Sequence, residues 1–329
     1  MSRVPAAADR ILRRGGLCYL AVRTPWGPHL TPLVHVFDAG RLWVTTSRGS
    51  VKARAWRRDP EVAGLVIEGE SAATFRGRVS TYDAFEPLSW PSAVLAGPRL
   101  VEAAARFSLK NARFFAGYAV DAGKVPLGWT PPGRVFAAVR PAAGRVLAGG
   151  DLADGPAWGG WRTGARYRRA FAPLPSRRGL DLAVPAEVRG IVGTSGTGAL
   201  AIEGSGVLTV LPAAWRRSGR EGAYEAMVPA PWIDLAGAGP EAPAALTVDR
   251  ASSWRAADMA GMLLQGTASL FSPRAGGRGR RALLERLGGR EDLVLVRIRP
   301  HRAVWWKGWS TGAVTVGGRA PRARGRVAG

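Results

Sequence analysis

Short apolar segments separated by turn residues run through the first third of the chain. Leu17 to Arg23 is the first, with a turn at residues 24–27, and His29 to Phe37 is the second, ended by residues 38–40. Segments of this length between Gly, Pro and Asp predict β-strands. Further strands are predicted at 41–46, 61–68, 72–82 and 134–140. Antiparallel strands in this number, with one inserted helix, indicate a small closed barrel.

Apolar residues at helical spacing predict helices around these strands. Residues 5–15 have a short amphipathic pattern that stops at Gly15–Gly16, and residues 98–115 have a longer one. After the third strand, residues 53–58 predict a short helix that Asp59–Pro60 stops. The first half of the chain is therefore predicted to be mainly β with inserted helices.

The strand pattern returns in the second half in the same order, which indicates an internal duplication. Two unrelated all-β segments would also look alike, but the order and a repeated Arg–Pro at one strand end favour duplication. The chain is therefore predicted to fold as two β-barrels in tandem, an intrachain pseudo-dimer. The matching segments are 19–23 with 199–203, 28–32 with 208–212, 73–79 with 261–268, and 135–141 with 294–300.

Composition shifts divide the chain into four predicted parts. Residues 149–189 are rich in Gly, Pro and Arg and predict a connecting segment between the barrels at 1–148 and 190–316. Residues 317–329 are basic and predict a disordered tail. The length of 329 residues, with 47% hydrophobic content, suits two such cores.

The composition narrows the classes of function. No apolar run is long enough to span a membrane and no signal-peptide core is present, so we expect a cytoplasmic protein. A single cysteine, Cys18, fits a reducing compartment. Three histidines and one cysteine give no metal-ligand cluster, so no metal is expected. The net charge of +23 favours an anionic ligand. Because no nucleic-acid-binding motif accompanies the charge, nucleic acid is expected only as non-specific contact by the tail.

The stretch from Thr45 to Arg54 carries the candidate chemistry. Small hydroxyl residues at a strand end, one glycine, and basic residues at a helix start suit a phosphate group, because helix N–H groups and cations both favour an anion. The alternative is a polar turn with a solvated basic helix face, on which the lysine is a surface residue. The second copy has Met227 to Asp234 here, without lysine or a serine cluster, so it is predicted to have lost the site. The candidate phosphate ligands are Thr45, Thr46, Ser50, Lys52 and Arg54.

Five short motifs lie between residues 16 and 80. They are Leu20–Arg23, Gly27–Leu33, Ser50–Arg54, Arg58–Val62 and the central Gly77 of a later strand. In their order and spacing they resemble the pyridoxamine 5′-phosphate oxidase-like family, the flavin-binding split barrels, and they include its Ser-x-Lys-x-Arg helix start. The basic strand residues of true pyridoxamine phosphate oxidases are missing from positions 30–34.

The resemblance implies flavin mononucleotide (FMN) or a deazaflavin as cofactor, with its ring along the strand that carries His29 and Thr31. It implies an oxidoreductase that transfers hydride to or from a small organic substrate, with catalytic residues that stay unknown. In the family the site lies between two barrels of a homodimer, so here the second barrel would supply the other face. Further homodimerisation stays possible. Candidate ring-facing residues there are Trp305, Trp306 and Trp309.

The alternative is a non-catalytic flavin, deazaflavin or haem carrier on the same fold. In a haem protein His35 or His301 would ligate iron. His29 and His35 are also candidates to assist protonation in an enzyme, although the apolar neighbours of His35 favour a structural role.

Overall fold

The computed structural model describes most of both predicted barrels and little of what connects and follows them. The predicted tail at 317–329 and most of the predicted connecting segment lie outside the described residues. Among the described residues, no helix is long and apolar enough to cross a membrane. The described residues are 3–83, 85–86, 90–121, 123, 125, 133–147, 155–161, 179–204, 206–218, 223–250, 256–271 and 293–316.

The described residues of the first half form seven strands and four helices. In chain order they are α1 (Ala6–Arg14), β1 (Leu17–Thr24), β2 (Gly27–Asp38), β3 (Arg41–Ser47), α2 (Val51–Arg58), β4 (Glu61–Glu68), β5 (Ser71–Tyr82), α3 (Trp90–Lys110), α4 (Ala112–Val120), β6 (Arg134–Leu147) and β7 (Ala157–Trp158).

The second half repeats the strands with shorter helices. In chain order they are α5 (Ala186–Val192), β8 (Ser195–Gly204), β9 (Val207–Arg217), β10 (Tyr224–Pro229), α6 (Ala230–Ala236), β11 (Glu241–Arg250), β12 (Ala260–Phe271), β13 (Leu293–Lys307) and β14 (Ser310–Thr315).

Each half closes into a six-stranded antiparallel barrel. The strand order is β3-β2-β1-β4-β5-β6 in the first, and β3 pairs with β6 to close it. The second has the order β10-β9-β8-β11-β12-β13, closed by β10 on β13. The strands β7 and β14 add to the outer ends of β6 and β13. The predicted fold of two tandem barrels with inserted helices is confirmed.

A β-bulge at the same place in both barrels supports the duplication. The pairing register shifts between Arg76 and Gly77 in β5, and between Gln265 and Gly266 in β12. A side chain at Gly77 would lie 2.1 Å from the Arg140 carbonyl oxygen, so only glycine fits the close backbone approach. At Gly266 the corresponding distance is 2.2 Å, to the carbonyl oxygen of the matching arginine of β13.

The two barrels pack against each other through buried polar contacts. Thr74 donates its hydroxyl hydrogen to the Val210 carbonyl at 2.6 Å, and Thr247 donates to the Leu30 carbonyl at 2.6 Å. The second barrel's core cluster also includes residues of the first barrel, Leu30 among them. The halves are therefore one packed unit across β2, β5 and β9.

An ion pair at the barrel junction joins residues at matching positions. Leu20 pairs with Thr31 in the first barrel, and Leu200 pairs with Leu211 in the second, so Arg23 of β1 corresponds to Glu203 of β8. The Arg23 Nε donates to a Glu203 carboxylate oxygen at 2.9 Å. The junction is therefore not symmetric in charge.

The predicted long helix at 98–115 differs from the observed structure. The helical segment begins at Trp90, bends at Gly97, which has a φ of 43°, and ends at Lys110 before α4 begins. The proline at position 98 explains the bend, because a proline inside a helix removes a hydrogen bond. The two helices cover Trp43 and Ala138 on the outside of the first barrel.

Candidate functional site

The turn before α2 is held by its own hydroxyl groups. Ser50 caps the helix, since its hydroxyl oxygen accepts from the Ala53 amide at 3.1 Å. The Thr46 hydroxyl donates to the Ser50 hydroxyl oxygen at 3.1 Å. Thr46 and Ser50 therefore lie together at the N-terminal end of α2, as the phosphate-site prediction requires.

Lys52 is buried, with 4% of its surface exposed, so the expectation of a surface lysine is wrong. Its ammonium group donates to the Thr31 hydroxyl of β2. Burial lowers the pKa of Lys52 to about 7, because a low-dielectric environment disfavours the charged form. A buried lysine held by a neutral hydroxyl favours a negatively charged ligand.

The first barrel is split at the place where Lys52 meets Thr31. In the described residues β3 pairs with β2 only from His35 to Asp38, so the first half of β2 has no strand partner on that side. Thr31 lies in this open part of β2, and the α2 turn lies across the gap. The backbone of β2 can therefore offer hydrogen bonds to a ligand there, as the predicted ring position requires.

Thr45 lies on the other face of β3 and is not part of this group. Its hydroxyl donates to the Val135 carbonyl at 3.2 Å and accepts from the Arg134 Nε at 3.0 Å. Successive residues of a strand point to opposite faces, so Thr45 and Thr46 cannot both face α2. The structure therefore separates Thr45 from the other predicted phosphate ligands.

His29 lies near Lys52 and near an arginine of the second barrel. Its exposed fraction is 5%, and its Nδ1 has no hydrogen-bond partner among the described residues. Burial first, then the charges of Lys52 and Arg302, hold the pKa of His29 well below its usual range. Arg302 also lies close enough to Arg54 for its own pKa to be lowered, after the larger effect of burial.

Four basic side chains thus converge where the two barrels meet. Arg54 is exposed at this junction, whereas Lys52 and His29 are buried. Among the described residues no carboxylate pairs with Lys52, Arg54 or Arg302. Basic side chains without a counter-charge, here Lys52, Arg54 and Arg302 beside a neutral His29, are typical of an anion site. Arg302 was missed by the sequence analysis, because nothing local distinguishes it from the other arginines of this basic chain.

The second barrel holds the β1–β2 turn beside this group. The His301 Nε2 lies 2.9 Å from the Trp26 carbonyl oxygen, and the Arg302 guanidinium lies 5.6 Å from the centre of the Trp26 ring. Gln265 donates to the Pro28 carbonyl at 2.8 Å and accepts from Arg302 at 3.0 Å. These contacts fix β2 relative to β13.

The three candidate ring-facing tryptophans are packed on protein. A side chain at Gly312 would lie 2.6 Å from the Trp305 ring, and one at Gly261 would lie 2.6 Å from the Trp306 ring. Trp309 contacts Tyr118 of α4 edge to face, with ring centres 4.7 Å apart. Each ring therefore already covers a neighbouring strand or helix.

Neither histidine considered as a haem ligand is free to coordinate through Nε2. The His35 Nε2 lies 2.9 Å from the Leu12 carbonyl oxygen inside the first barrel, and burial lowers the pKa of His35 to about 3. His301 is held by Trp26 as described. Among the described residues, no group of three His, Cys, Asp or Glu side chains is placed to hold a metal ion.

Comparison with known families identifies the class of the first barrel. Residues 5–111 match the model of the pyridoxamine 5′-phosphate oxidase family. This match and the two observed barrels confirm the resemblance seen in the sequence: residues 5–111 are similar to this family, and the chain as a whole folds as two tandem barrels. No curated protein matches the chain.

Solved structures with a similar barrel cover less than half of the chain. An F420 reductase is 20% identical, covers 43% of this chain and 98% of its own, and has a TM-score of 0.30. General Stress Protein 26 from Bacillus anthracis is 14% identical over 46% and 94%, with a TM-score of 0.31. A heme binding protein from Mycobacterium smegmatis is 21% identical over 39% and 56%, with a TM-score of 0.30. Likenesses at this level do not bear on function.

Proposed function

We propose that the chain is an oxidoreductase that binds FMN or a deazaflavin at the junction of its two barrels. The observation that carries the proposal is the group of Lys52, Arg54 and Arg302 without a carboxylate partner in the described residues. This group lies at the open part of β2, in a barrel of a flavin-binding family type.

The phosphate of the cofactor fits the α2 end of this group. Lys52 and Arg302 would provide charge, and Ser50 and Thr46 would provide hydroxyl groups, which together suit a dianion. Arg54, which is exposed, would approach from the solvent side. Charge-assisted bonds from several donors are the usual way in which proteins hold a phosphate group.

The ring of the cofactor fits the open half of β2. Backbone groups of β2 from Leu30 to Val34 would bind its polar edge, other than the Leu30 carbonyl that already accepts from Thr247. Thr31 would lie between the ring and the phosphate. When bound, the cofactor supplies hydride transfer. The protein supplies orientation and exclusion of water, and His29 stays neutral because its pKa is low.

A carrier without catalysis would use the same residues and differ only in lacking a substrate. A haem carrier is not supported, because His35 and His301 are held by backbone carbonyls.

The test is the absorbance spectrum and mass of the molecule that co-purifies with the full chain, followed by titration of the apo protein. FMN, a deazaflavin and riboflavin are the three probes. We expect one FMN or deazaflavin per chain and much weaker binding of riboflavin, which lacks the phosphate. Equal binding of FMN and riboflavin, or a Soret band with iron, would contradict the proposal. Reduction of the bound cofactor by a nicotinamide donor separates an enzyme from a carrier.

A further inference from the structure

We propose that Gln265 is a positioning residue that holds Arg302 of the second barrel against the anion site of the first. This assignment rests on the proposed function, because it concerns how that site is completed. Gln265 is fully buried and uses both ends of its amide. One end binds the first barrel and the other binds Arg302.

The amide of Gln265 is well suited to connect the two barrels. Its Nε2 donates to the Pro28 carbonyl at 2.8 Å and lies 3.4 Å from the Gly27 carbonyl oxygen. Its Oε1 accepts from the Arg302 Nη1 at 3.0 Å. A buried amide with both ends satisfied has a single favoured orientation. Gln265 thereby fixes the position of Arg302 relative to the strand that carries His29 and Thr31.

The β-bulge of the second barrel gives Gln265 this position. Gln265 pairs with Arg302, and the next residue, Gly266, pairs with Pro300. His301 is therefore the extra residue of β13, and it turns to the Trp26 carbonyl of the first barrel. One irregularity in the ladder directs His301, Arg302 and Gln265 towards the same turn.

The matching bulge of the first barrel serves no such site. There Arg76 stands in place of Gln265, and its Nη2 donates to the Thr209 hydroxyl at 2.7 Å and to the Leu235 carbonyl at 3.0 Å. Its guanidinium lies 4.0 Å from the centre of the Trp161 ring. The position that corresponds to Arg302 is Ala143, so the cation that the first barrel presents to the second is Arg76 itself, and not an arginine beside it that is held by an amide.

A double-mutant cycle on the full chain tests the assignment. FMN affinity is measured by quenching of its fluorescence for wild type, Gln265→Met, Arg302→Gln and the double variant. A hydrogen bond to a charged group is worth about 1.5–3 kcal/mol, so Arg302→Gln should lower FMN affinity roughly ten- to a hundredfold. Gln265→Met should lower it by roughly three- to tenfold, and should add nothing in the Arg302→Gln background. Riboflavin affinity should change little in every variant.

The control is Thr74→Val, which removes a buried inter-barrel hydrogen bond that involves none of the proposed site residues. It should leave FMN affinity unchanged. Gln265→Glu is a second variant in case Gln265→Met does not fold. The carboxylate would pair with Arg302 and cancel its charge, so FMN affinity should fall as in Arg302→Gln.

The possible outcomes separate the two proposals. Additive losses in the double variant, no loss in Gln265→Met, or an equal loss in Thr74→Val would overturn the positioning role while FMN binding by wild type upheld the site. No binding of FMN or a deazaflavin by wild type would overturn the site and the positioning role together.

Discussion

The outer faces of the two barrels differ at matching positions. In the first barrel Val36 pairs with Trp43, and Trp43 pairs with Ala138, across β2, β3 and β6. This apolar row is covered by α3 and α4. Because the closed strand ladder and the interior core hold the barrel together, inserted helices can pack against its outer face.

The second barrel has a charged row in the same place. Arg216 pairs with Glu225, and Glu225 pairs with Arg297, across β9, β10 and β13. Glu225 is 2% exposed and accepts from Arg216 Nε at 2.7 Å and from Arg297 Nη2 at 2.9 Å. A barrel of this type therefore tolerates an apolar row or a charged row on its outer face, provided that each polar group has a hydrogen-bond partner.

The largest expected effect is the loss of Trp43 from the apolar row. Trp43 is 3% exposed and stacks on Phe136 and Tyr82, with ring centres 5.2 and 5.7 Å apart. Trp43→Ala should lower the free energy of unfolding by about 3–5 kcal/mol. Urea denaturation measures it, with the exposed Trp90→Ala as control. Equal losses of unfolding free energy in both variants would show that the packing of α3 and α4 on this row does not stabilise the protein.

The charged row should be less sensitive to the loss of its central residue. Glu225→Ala leaves Arg216 and Arg297 without their shared counter-charge. Removal of one partner of a buried ion pair costs about 3–5 kcal/mol, and solvent access to the arginines should reduce this to about 2 kcal/mol.

The control for Glu225 is the exposed pair of Glu241 and Arg299, which are 2.9 Å apart. Glu241→Ala should cost about 0.5 kcal/mol or less. If the two glutamate variants unfold at the same urea concentration, burial of Glu225 does not matter to the row.

The barrels also differ at the start of the helix after β3 and β10. Ser50 caps α2 with its side chain, whereas α6 begins directly after Pro229 and has no side-chain cap. Lys52→Ala should weaken FMN binding roughly ten- to a hundredfold, since a charged hydrogen bond of about 1.5–3 kcal/mol is lost. Fluorescence titration measures it. The control is Lys110→Ala, an exposed lysine that donates to the Gly15 carbonyl at 2.9 Å.

FMN affinity in the Lys110 variant should stay within about twofold of wild type, because a substitution away from a site rarely changes it further. One FMN per chain is also expected, because the second barrel has no lysine at this place. Two equivalent sites per chain would contradict the comparison between α2 and α6.

The smallest expected effect is the pH dependence of FMN binding. Burial lowers the pKa of Lys52 to about 7 in the free protein, and a bound dianion would raise it. Binding then takes up a proton above pH 7, so affinity should fall as pH rises from 7 to 9.5, by about tenfold in all. The phosphate stays dianionic in this range, since its second pKa is about 6.

Stability of the apo protein should change in the opposite direction. The folded pKa of Lys52 lies below its unfolded value, so its charge destabilises the fold below pH 7, and that cost disappears as pH rises towards 10.5. Lys52→Met should remove this component of the pH dependence of unfolding, as well as that of FMN binding. A wild-type slope retained in Lys52→Met would assign the titration to another group.

Much of the fold could be predicted because its signals are local. Strand lengths, turn residues and the repeated Arg–Pro at positions 140–141 and 299–300 lie within short windows of sequence. The short helix that ends before Asp59–Pro60 also has a local signal and was found. The bend at Gly97 was missed because the helical pattern continues on both sides of it.

The site was predicted only on its first-barrel side. Thr45 was placed with Thr46 because neighbouring hydroxyls look alike in sequence, whereas the period of a strand separates them. Lys52 was expected at the surface, since burial through tertiary packing leaves no local mark in the sequence. Gln265 had one available signal, an amide inside an apolar strand, because a buried amide needs partners on both sides.

The ion pair between Arg23 and Glu203 has a consequence for how such chains evolve. In an assembly of two identical halves, a residue at this place would meet its own copy, so arginine would face arginine. A fused chain can change one half alone, and unlike charges then become available where symmetry forbids them. Separately expressed halves should for this reason bind each other in preference to forming homodimers. Fusion of the halves thus allows a surface that would pair with its own copy to become complementary to a different surface.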